Sequence, residues 1–488
     1  MAEDVDRLPV EAPELEKVEA RDYLLDQAYV NLKRAHVYNF CRSYRYQSLG
    51  YYVSLLAEAR GHHPLPTITT IQDLKSPSLA RTVVDDLDED IQRALAAETR
   101  QTRVHHIVFG RSGDGSMERL SGRLFRALPA PFLQATFRRS AIDREWALVG
   151  LSAPAWDDLP QPLLARLSEL GRDFFGRSRL SREPRRHARF DLAILHDAEE
   201  REPPSDDAAL RRFVRAAETV GMEAELIGPD DYGLLPQYDA LFIRATTGVN
   251  HFTYRFARRA AAEGLVVIDD PVSIFRCCNK VYLAELLARH GVPMPETLVL
   301  ARGQLAEIPR RLGLPCVLKL PDSSFSQGVV RADDAASLET LAERMLERSD
   351  LLIAQRYQPT EFDWRVGILD GRPLFACKYF MARRHWQIIR RGEAGKKTGE
   401  GESQTLPVEA APASVLETAS RAARLIGDGL YGVDLKVVDG RALVMEINDN
   451  PSIDAGYEDE ALGDVLYERI MSTFLSRLER LRGLERRP

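Results

Sequence analysis

Two hydrophobic rhythms alternate along the 488-residue chain, and the switches between them divide it into parts. Over 46–60 (YQSLGYYVSLLAEAR) apolar residues return at a 3.6-residue spacing, which predicts a helix. Segments 104–109, 132–137 and 146–151 read as strands, with a helix at 117–128 between the first two. Residues 1–180 are therefore expected to form a mixed α+β domain. From 190 strands and helices take turns: strands at 190–195, 224–227, 241–244 and 265–268, helices at 208–220 and 254–263. That alternation predicts a small parallel α/β unit over 189–275. Beyond 276 the pattern changes again. A helix at 280–289 ends at Gly291-Val292-Pro293, and strands follow at 297–300, 316–320 and 351–357, with a helix at 335–348. Two hairpins turn at Asp370-Gly371 and Asp439-Gly440. Residues 276–480 should thus hold a mostly antiparallel sheet with interspersed helices. The stretch 176–189 (GRSRLSREPRRHAR) carries six arginines and separates the first two parts. It reads as a solvated linker, or else as a docking patch for an acidic partner.

Composition narrows the function classes. Hydrophobic residues at 44% and charged residues at 28% are ordinary for a globular protein. No apolar run approaches the ~20 residues that cross a bilayer, so no membrane association is expected. The first 20 residues carry seven acids and no apolar core, unlike a secretory leader. Five cysteines, without a CxxC pair, point to a reduced, cytoplasmic protein. A net charge of −7 argues against a general nucleic-acid binder. The more useful number is that only nine of the 66 basic residues are lysines. A lysine here points to a position that wants a compact ammonium rather than a planar fork. In the first part, Tyr44, Arg45, Tyr46, Tyr51, Tyr52, His62 and His63 form a polar-aromatic cluster, either a binding surface or a half-buried helix face. The paired histidines lack the wider Cys/His spacing of a familiar metal motif.

Chemistry concentrates in the third part. In 432–451 (GVDLKVVDGRALVMEINDNP), alternation sets Glu446 and Asn448 on one strand face, and the turn at 439–440 brings Asp434 opposite Glu446 or its neighbour. Three oxygen donors without thiolate or imidazole suit Mg²⁺, with Val444, Met445 and Ile447 marking a strand buried on its other side. Lys319 ends the apolar run 315–320 and leads into Pro321-Asp322-Ser323-Ser324-Phe325-Ser326-Gln327-Gly328. That is either a phosphate cradle or a Ser-rich surface turn. Lys280 opens a helix after Asn279, and Asp363 and Arg365 should share a strand face. Arg244 stands at the carboxyl end of a parallel strand, where it either holds an anion or is an ordinary surface arginine.

In order and spacing, Asn279-Lys280, VLKLP at 317–321 with its loop to Gly328, IAQRY at 353–357, DWR at 363–365 and GVDLKV…LVMEINDNPS at 432–452 resemble the ATP-grasp superfamily. Within it, the resemblance is to the RimK-like carboxylate–amine ligases, over about 190–475, and 1–180 looks like the extra domain ahead of some of them. The resemblance implies an α+β and α/β architecture: an N-terminal domain, a small α/β domain, and two α+β subdomains around a nucleotide cleft. It implies that Lys280 and Lys319 hold the ATP phosphates, that Lys378 also belongs to the nucleotide site, that Ser323, Ser324 and Gly328 close over the phosphates, and that Gln355, Arg356 and Tyr357 form the adenine hinge, with Asp363 near the ribose. Asp434, Glu446 and Asn448 would bind one or two Mg²⁺, with Mn²⁺ as an alternative. Lys319 and Arg365 would serve catalysis, and Arg244, Arg365, Arg384 and Asn450 the substrates. The activity implied is ADP-forming amide or peptide bond formation through an acyl-phosphate, joining a glutamate-like amino acid to an amino acid, peptide or protein, by a homo-oligomer. A phosphotransferase on the same scaffold and a non-catalytic nucleotide sensor are the alternatives. Departures from the usual pattern are the single glycine in the phosphate loop, Arg356 at the hinge, and 383–387 with the charged, Gly-rich loop 390–402. That loop either closes over the acceptor or triphosphate or is plainly solvated.

Overall fold

Sheets form where the alternation placed them, and they sort into two units. The computed structural model describes residues 1–488 except 13–14, 31, 33–34, 76–86, 141–143, 178–187, 323–327, 384, 392–396 and 484–488. Most of the predicted linker, Ser323, Ser324 and Arg384 therefore lie outside the described residues. Contacts gather 1–191, 230–239 and 262–265 into one unit and the remainder into a second.

In the first unit, a four-stranded antiparallel sheet runs Arg111–Ser112, Thr102–Val108, Phe132–Arg139, Trp146–Ser152. Helix Glu118–Ala127 buries Leu120, Leu124 and Phe125 in a core shared with Phe109, Phe132, Phe137 and Trp146. Helix Leu49–Ala59 is shorter than predicted because Ser48 caps it, accepting the Tyr51 N–H. The Tyr/His cluster does not form one surface. Tyr46, Tyr51 and Tyr52 meet edge to face outside, whereas His62 is buried and bonded to the Tyr23 hydroxyl at 2.8 Å.

Among the described residues the second unit holds four sheets, the smallest being the antiparallel pair Ile389–Arg391 and Lys397–Glu400; in the first of the others, residues 190–191 of one strand count with the first unit. That sheet is ordered Val266–Ile268, Ala240–Ile243, Phe190–Leu195, Met222–Ile227, with parallel pairing between the first three. The near-continuous apolar run FDLAIL, buried at every position, is what a strand covered on both faces requires. Its helix Asp207–Thr219 packs on the C-terminal helix Asp464–Leu481, where the Phe213 and Tyr467 rings meet at 4.7 Å. A four-stranded antiparallel sheet follows, ordered Thr297–Ala301, Leu351–Arg356, Cys316–Lys319, Val329–Ala332. A five-stranded antiparallel sheet is ordered Ser403–Leu406, Arg372–Phe380, Phe362–Leu369, Leu430–Val438, Arg441–Asn448. Both predicted turns adopt positive φ at their two central residues, 51° and 71° at Asp370-Gly371 and 49° and 75° at Asp439-Gly440. That is the geometry whose twist matches right-handed strands. Among the described residues no helix is long and apolar enough to cross a membrane.

Gly367, at the centre of the five-stranded sheet, leaves room for the Phe375 ring: a Cβ there would stand 2.3 Å from a ring carbon. Phe375 is fully buried and has nowhere to swing. Gly367→Ala is therefore expected to destabilise the protein by roughly 1–3 kcal/mol, the cost of overpacking a filled core, measured by urea unfolding.

Candidate functional site

The two antiparallel sheets face a cavity of about 150 Å³. Val317, Lys319, Val329 and Gln355–Gln358 line it from one sheet, and Asp363, Asp434, Lys436, Met445 and Glu446 from the other, with Lys280 between. Local structure aims each group. Asn279 caps helix Lys280–Arg289 by accepting the Val281 and Tyr282 N–H groups at 3.0 Å each, and its amide donates to Asp322. The Lys280 N–H bonds Pro321 O at 2.9 Å, so the helix start is tied to the chain just past Lys319. At the neck of the predicted phosphate loop, the Leu320 N–H bonds the carbonyl of Gly328, whose φ of 70° favours glycine.

Cross-strand register does the rest. Asp434 pairs directly with Glu446, and Gly432 with Asn448, so the three oxygen donors share one face as alternation required. Arg365 lies opposite Asp434 and grips it with two bonds of 2.7 and 2.8 Å. Asn448 donates to the same carboxylate at 3.3 Å. Lys280 Nζ stands 2.7 Å from Glu446, whose side chain keeps 30% of its surface exposed. Asp363 and Arg365 share their strand face without pairing with each other: Asp363 instead takes Lys436 Nζ at 2.5 Å and the Thr360 hydroxyl at 2.9 Å.

Charges in this space perturb one another. Burial lowers Lys319 to a pKa of about 8, helped by Lys280 and Lys436 and opposed by Glu446. Burial works against ionised Glu446, but Lys280 and Lys319 outweigh it and hold the carboxyl below its ordinary value. Asp363 is pushed up by burial in spite of Lys436. Arg365, buried against Asp434, is held charged more firmly than a free arginine despite its desolvation. The donor set fits Mg²⁺: hard oxygens from Asp434, Glu446 and Asn448 converge, and only the chain's own cations now offset their charge. The thiols of Cys277 and Cys316 are buried, and burial raises both pKa values, so neither is a nucleophile.

Several sequence expectations need correction or refinement. Arg244 is neither an anion receptor nor a surface arginine. It is fully buried, donating to Ser205 Oγ at 3.0 Å, Asn450 Oδ1 at 2.5 Å, Pro204 O at 2.5 Å and Pro451 O at 2.9 Å. Asn450 is committed too, since its amide donates to Ala245 O at 2.7 Å. Arg244 clamps two chain segments together, whereas Asn450, its partner in the clamp, also lines the larger of the two cavities described below. Lys378 lies on the strand face opposite Asp363 and Arg365, over the Phe362 and Trp364 rings at 4.8 and 5.2 Å, so the fold does not bring it to the phosphate side. Arg356 turns to Glu296 at 2.7 Å, and Gln355 donates to Thr297 Oγ1 at 3.0 Å. Tyr357 packs with Trp386 and Arg331 at the cavity mouth. Lys436 escaped the sequence reading, although its scarcity as a lysine and its place two residues past Asp434 both pointed to it.

A second cavity, of about 360 Å³, adjoins the first across Glu446. Thr246, Thr247, His251, Cys278, Asp322, Asn448 and Asp449 contribute to its wall. Burial pushes the Asp449 carboxyl up to about 7.

If Arg244 is a clamp, Arg244→Met leaves four buried acceptors without their donor. Loss of stability of roughly 3–5 kcal/mol is then expected in urea unfolding. Unchanged stability with an altered KM alone would restore the substrate reading.

Residues 20–169 match the RimK-like ATPgrasp N-terminal domain. A probable alpha-L-glutamate ligase 1 of Shewanella denitrificans is 27% identical over 265 residues, covering 50% of this chain and 86% of that protein. A probable alpha-L-glutamate ligase 2 of Pseudoalteromonas atlantica is 28% identical over 230 residues, covering 45% and 71%. Among solved structures, a RimK domain protein ATP-grasp from Sphaerobacter thermophilus aligns with 58% of this chain and 98% of its own, at 17% identity and a TM-score of 0.45. The chain is thus similar to the RimK-like ATPgrasp N-terminal domain over residues 20–169, and to probable alpha-L-glutamate ligases over about half of its length.

Proposed function

We propose that the protein is an ATP- and Mg²⁺-dependent carboxylate–amine ligase that forms ADP and phosphate. The observation that carries this reading is the convergence of Lys280, Lys319, Lys436, Asp363, Asp434 and Glu446 on one cavity bordered by the backbone of 355–358. Alternating cations and carboxylates suit a polyanion accompanied by a metal, while the 355–358 wall of the cavity is where a purine would lie.

A carboxylate is a poor electrophile because oxide is a prohibitive leaving group. Phosphoryl transfer from ATP turns it into an acyl-phosphate, and an amine then displaces phosphate. The chain's task is positioning and charge stabilisation. Lys280 and Lys319 approach the phosphates from the helix start and the strand end, and Lys319 is desolvated enough to act as a strong point charge. Asp434, Glu446 and Asn448 would hold Mg²⁺, which when bound neutralises charge on the phosphate oxygens. Arg365 positions Asp434 through its two-bond grip. Glu446 lines both cavities, so the acid to be activated would sit in the larger one, next to the phosphate to be transferred. The relatives' names favour a glutamate-like amino acid as one substrate, with an amino acid or peptide as the other.

Purified protein with Mg²⁺, ATP and a panel of amino acids and peptides should form an amide product with one ADP and one phosphate per bond, read by mass spectrometry and coupled assay. Formation of AMP and pyrophosphate, or of a stable phosphorylated product without any amine, would overturn the reading.

A pH dependence follows from Lys319. In the free protein its charge is present below about pH 8 and lost above it. A bound triphosphate favours the charged form, so nucleotide affinity should be full near pH 7 and fall as pH rises through 8, with proton uptake on binding above pH 8. Calorimetry in buffers of different ionisation heat measures both. Lys319→Met should weaken binding at pH 7 and flatten that pH dependence.

A further inference from the structure

A histidine set aside at the sequence level acquires partners in the fold. His63, in the strand His63–Leu65 of the first unit, stands beside Asp191 and Asp239, which belong to the same unit. One ligand atom from each of the three lies within 4.8 Å of those of the other two. We propose that His63, Asp191 and Asp239 form a binding site for a divalent transition-metal ion of the zinc type, separate from the Asp434–Glu446–Asn448 oxygens.

Four features of the geometry carry the assignment. The first is tautomer selection. His63 Nδ1 stands 2.8 Å from Pro236 O, and a carbonyl can only accept, so Nδ1 bears the proton and Nε2 is left to present a lone pair. Metal-bound imidazoles are held by this kind of outer contact. The second is spacing. Nε2 stands 3.7 Å from Asp239 Oδ1, too long for a charge-assisted hydrogen bond of about 2.7–2.9 Å. It is close to the about 3.3 Å that separates two ligands lying about 2.0 Å from one tetrahedral ion. Third, the carboxylate is oriented from behind: Asp239 Oδ2 accepts the Asp191 N–H at 2.8 Å, which turns Oδ1 toward the imidazole. Fourth, the His36 ring stacks on His63 at 5.3 Å with 26° between planes and fixes the ring's attitude.

Charge argues the same way. The His63 and Asp239 side chains are only 10% and 5% exposed, and Asp191 is also buried. Two carboxylates held this close in a poorly solvated place favour a cation as a neighbour. A divalent ion would take up the 3.7 Å gap between Nε2 and Oδ1. One imidazole and two carboxylates suit Zn²⁺ better than Mg²⁺, which prefers an all-oxygen shell. With three protein ligands, a fourth position remains for water. The ion would fasten together residues distant in sequence, which points to a structural role.

The test uses the full-length protein, stripped with chelator, without nucleotide. Zn²⁺ titration by calorimetry should find one site per chain and a rise in Tm. Replacement of outer partners alone costs about 10–100-fold in metal affinity, so His63→Ala and Asp239→Asn, which remove ligands, should weaken it by more than ~100-fold. Asp434→Asn with Glu446→Gln should leave that Zn²⁺ site intact. Absence of Zn²⁺ binding in the unaltered protein, or equal binding by His63→Ala, would overturn the proposal. Should the variants fail to fold, zinc-edge X-ray absorption on the loaded natural protein decides: one imidazole nitrogen among oxygens supports the site, and a sulfur-containing or all-oxygen shell refutes it.

Discussion

The second unit depends on a charge balance struck across a strand pair. Asp434 and Glu446 face each other on neighbouring strands, and two carboxylates so placed would push the hairpin apart without counter-charge. Arg365 answers one and Lys280 the other, each delivered by a different element. Side chains that would ligate a metal are thus kept in place by cations of the chain. On the proposed reading, an arriving Mg²⁺–nucleotide would have to share or displace those contacts, beside the desolvated Lys319. Binding there would then be an exchange of one set of ion pairs for another. Such an exchange costs less than bringing bare charges together from water.

Periodicity works well where one face is buried and the other carries chemistry. The closing hairpin is legible to within one residue because its apolar positions fix the face of each side chain; the choice of Glu446 over its neighbour opposite Asp434 comes from a register shift between Asp434 and Leu435. A one-residue slip would have turned every functional side chain into the core. The two Asp-Gly turns were equally legible, since that dipeptide is suited to positive φ at both central positions. Lys280 and Lys319 were legible by their scarcity, and Lys436 satisfied the same criterion unused.

What stayed hidden depends on contacts remote in sequence. Arg244 sits at a strand end, where ligands commonly bind, yet its partners come from 204–205 and 450–451, and no local pattern reveals that they take up its donors. Lys378 was misplaced for a simpler reason. Scarcity marks it as a lysine of interest, but its pairing with Trp364 across the sheet sets it on the face opposite Asp363 and Arg365. His63 lacked a recognisable motif because its neighbours lie more than a hundred residues along the chain. Helix Asp464–Leu481, at the far end of the sequence, packs on Asp207–Thr219, an association that helical period alone does not announce.

The Arg244 clamp bears on how this polypeptide can be dissected. A boundary drawn at 275–276 looks natural from the strand–helix pattern, but the guanidinium belongs to one side of it and Asn450 and Pro451 to the other. Severing the chain there would strand a buried cation in one fragment and hungry carbonyls in its counterpart. The parallel sheet and the closing hairpin are best regarded as a single folding partnership, and neither half is a sound candidate for recombinant expression alone.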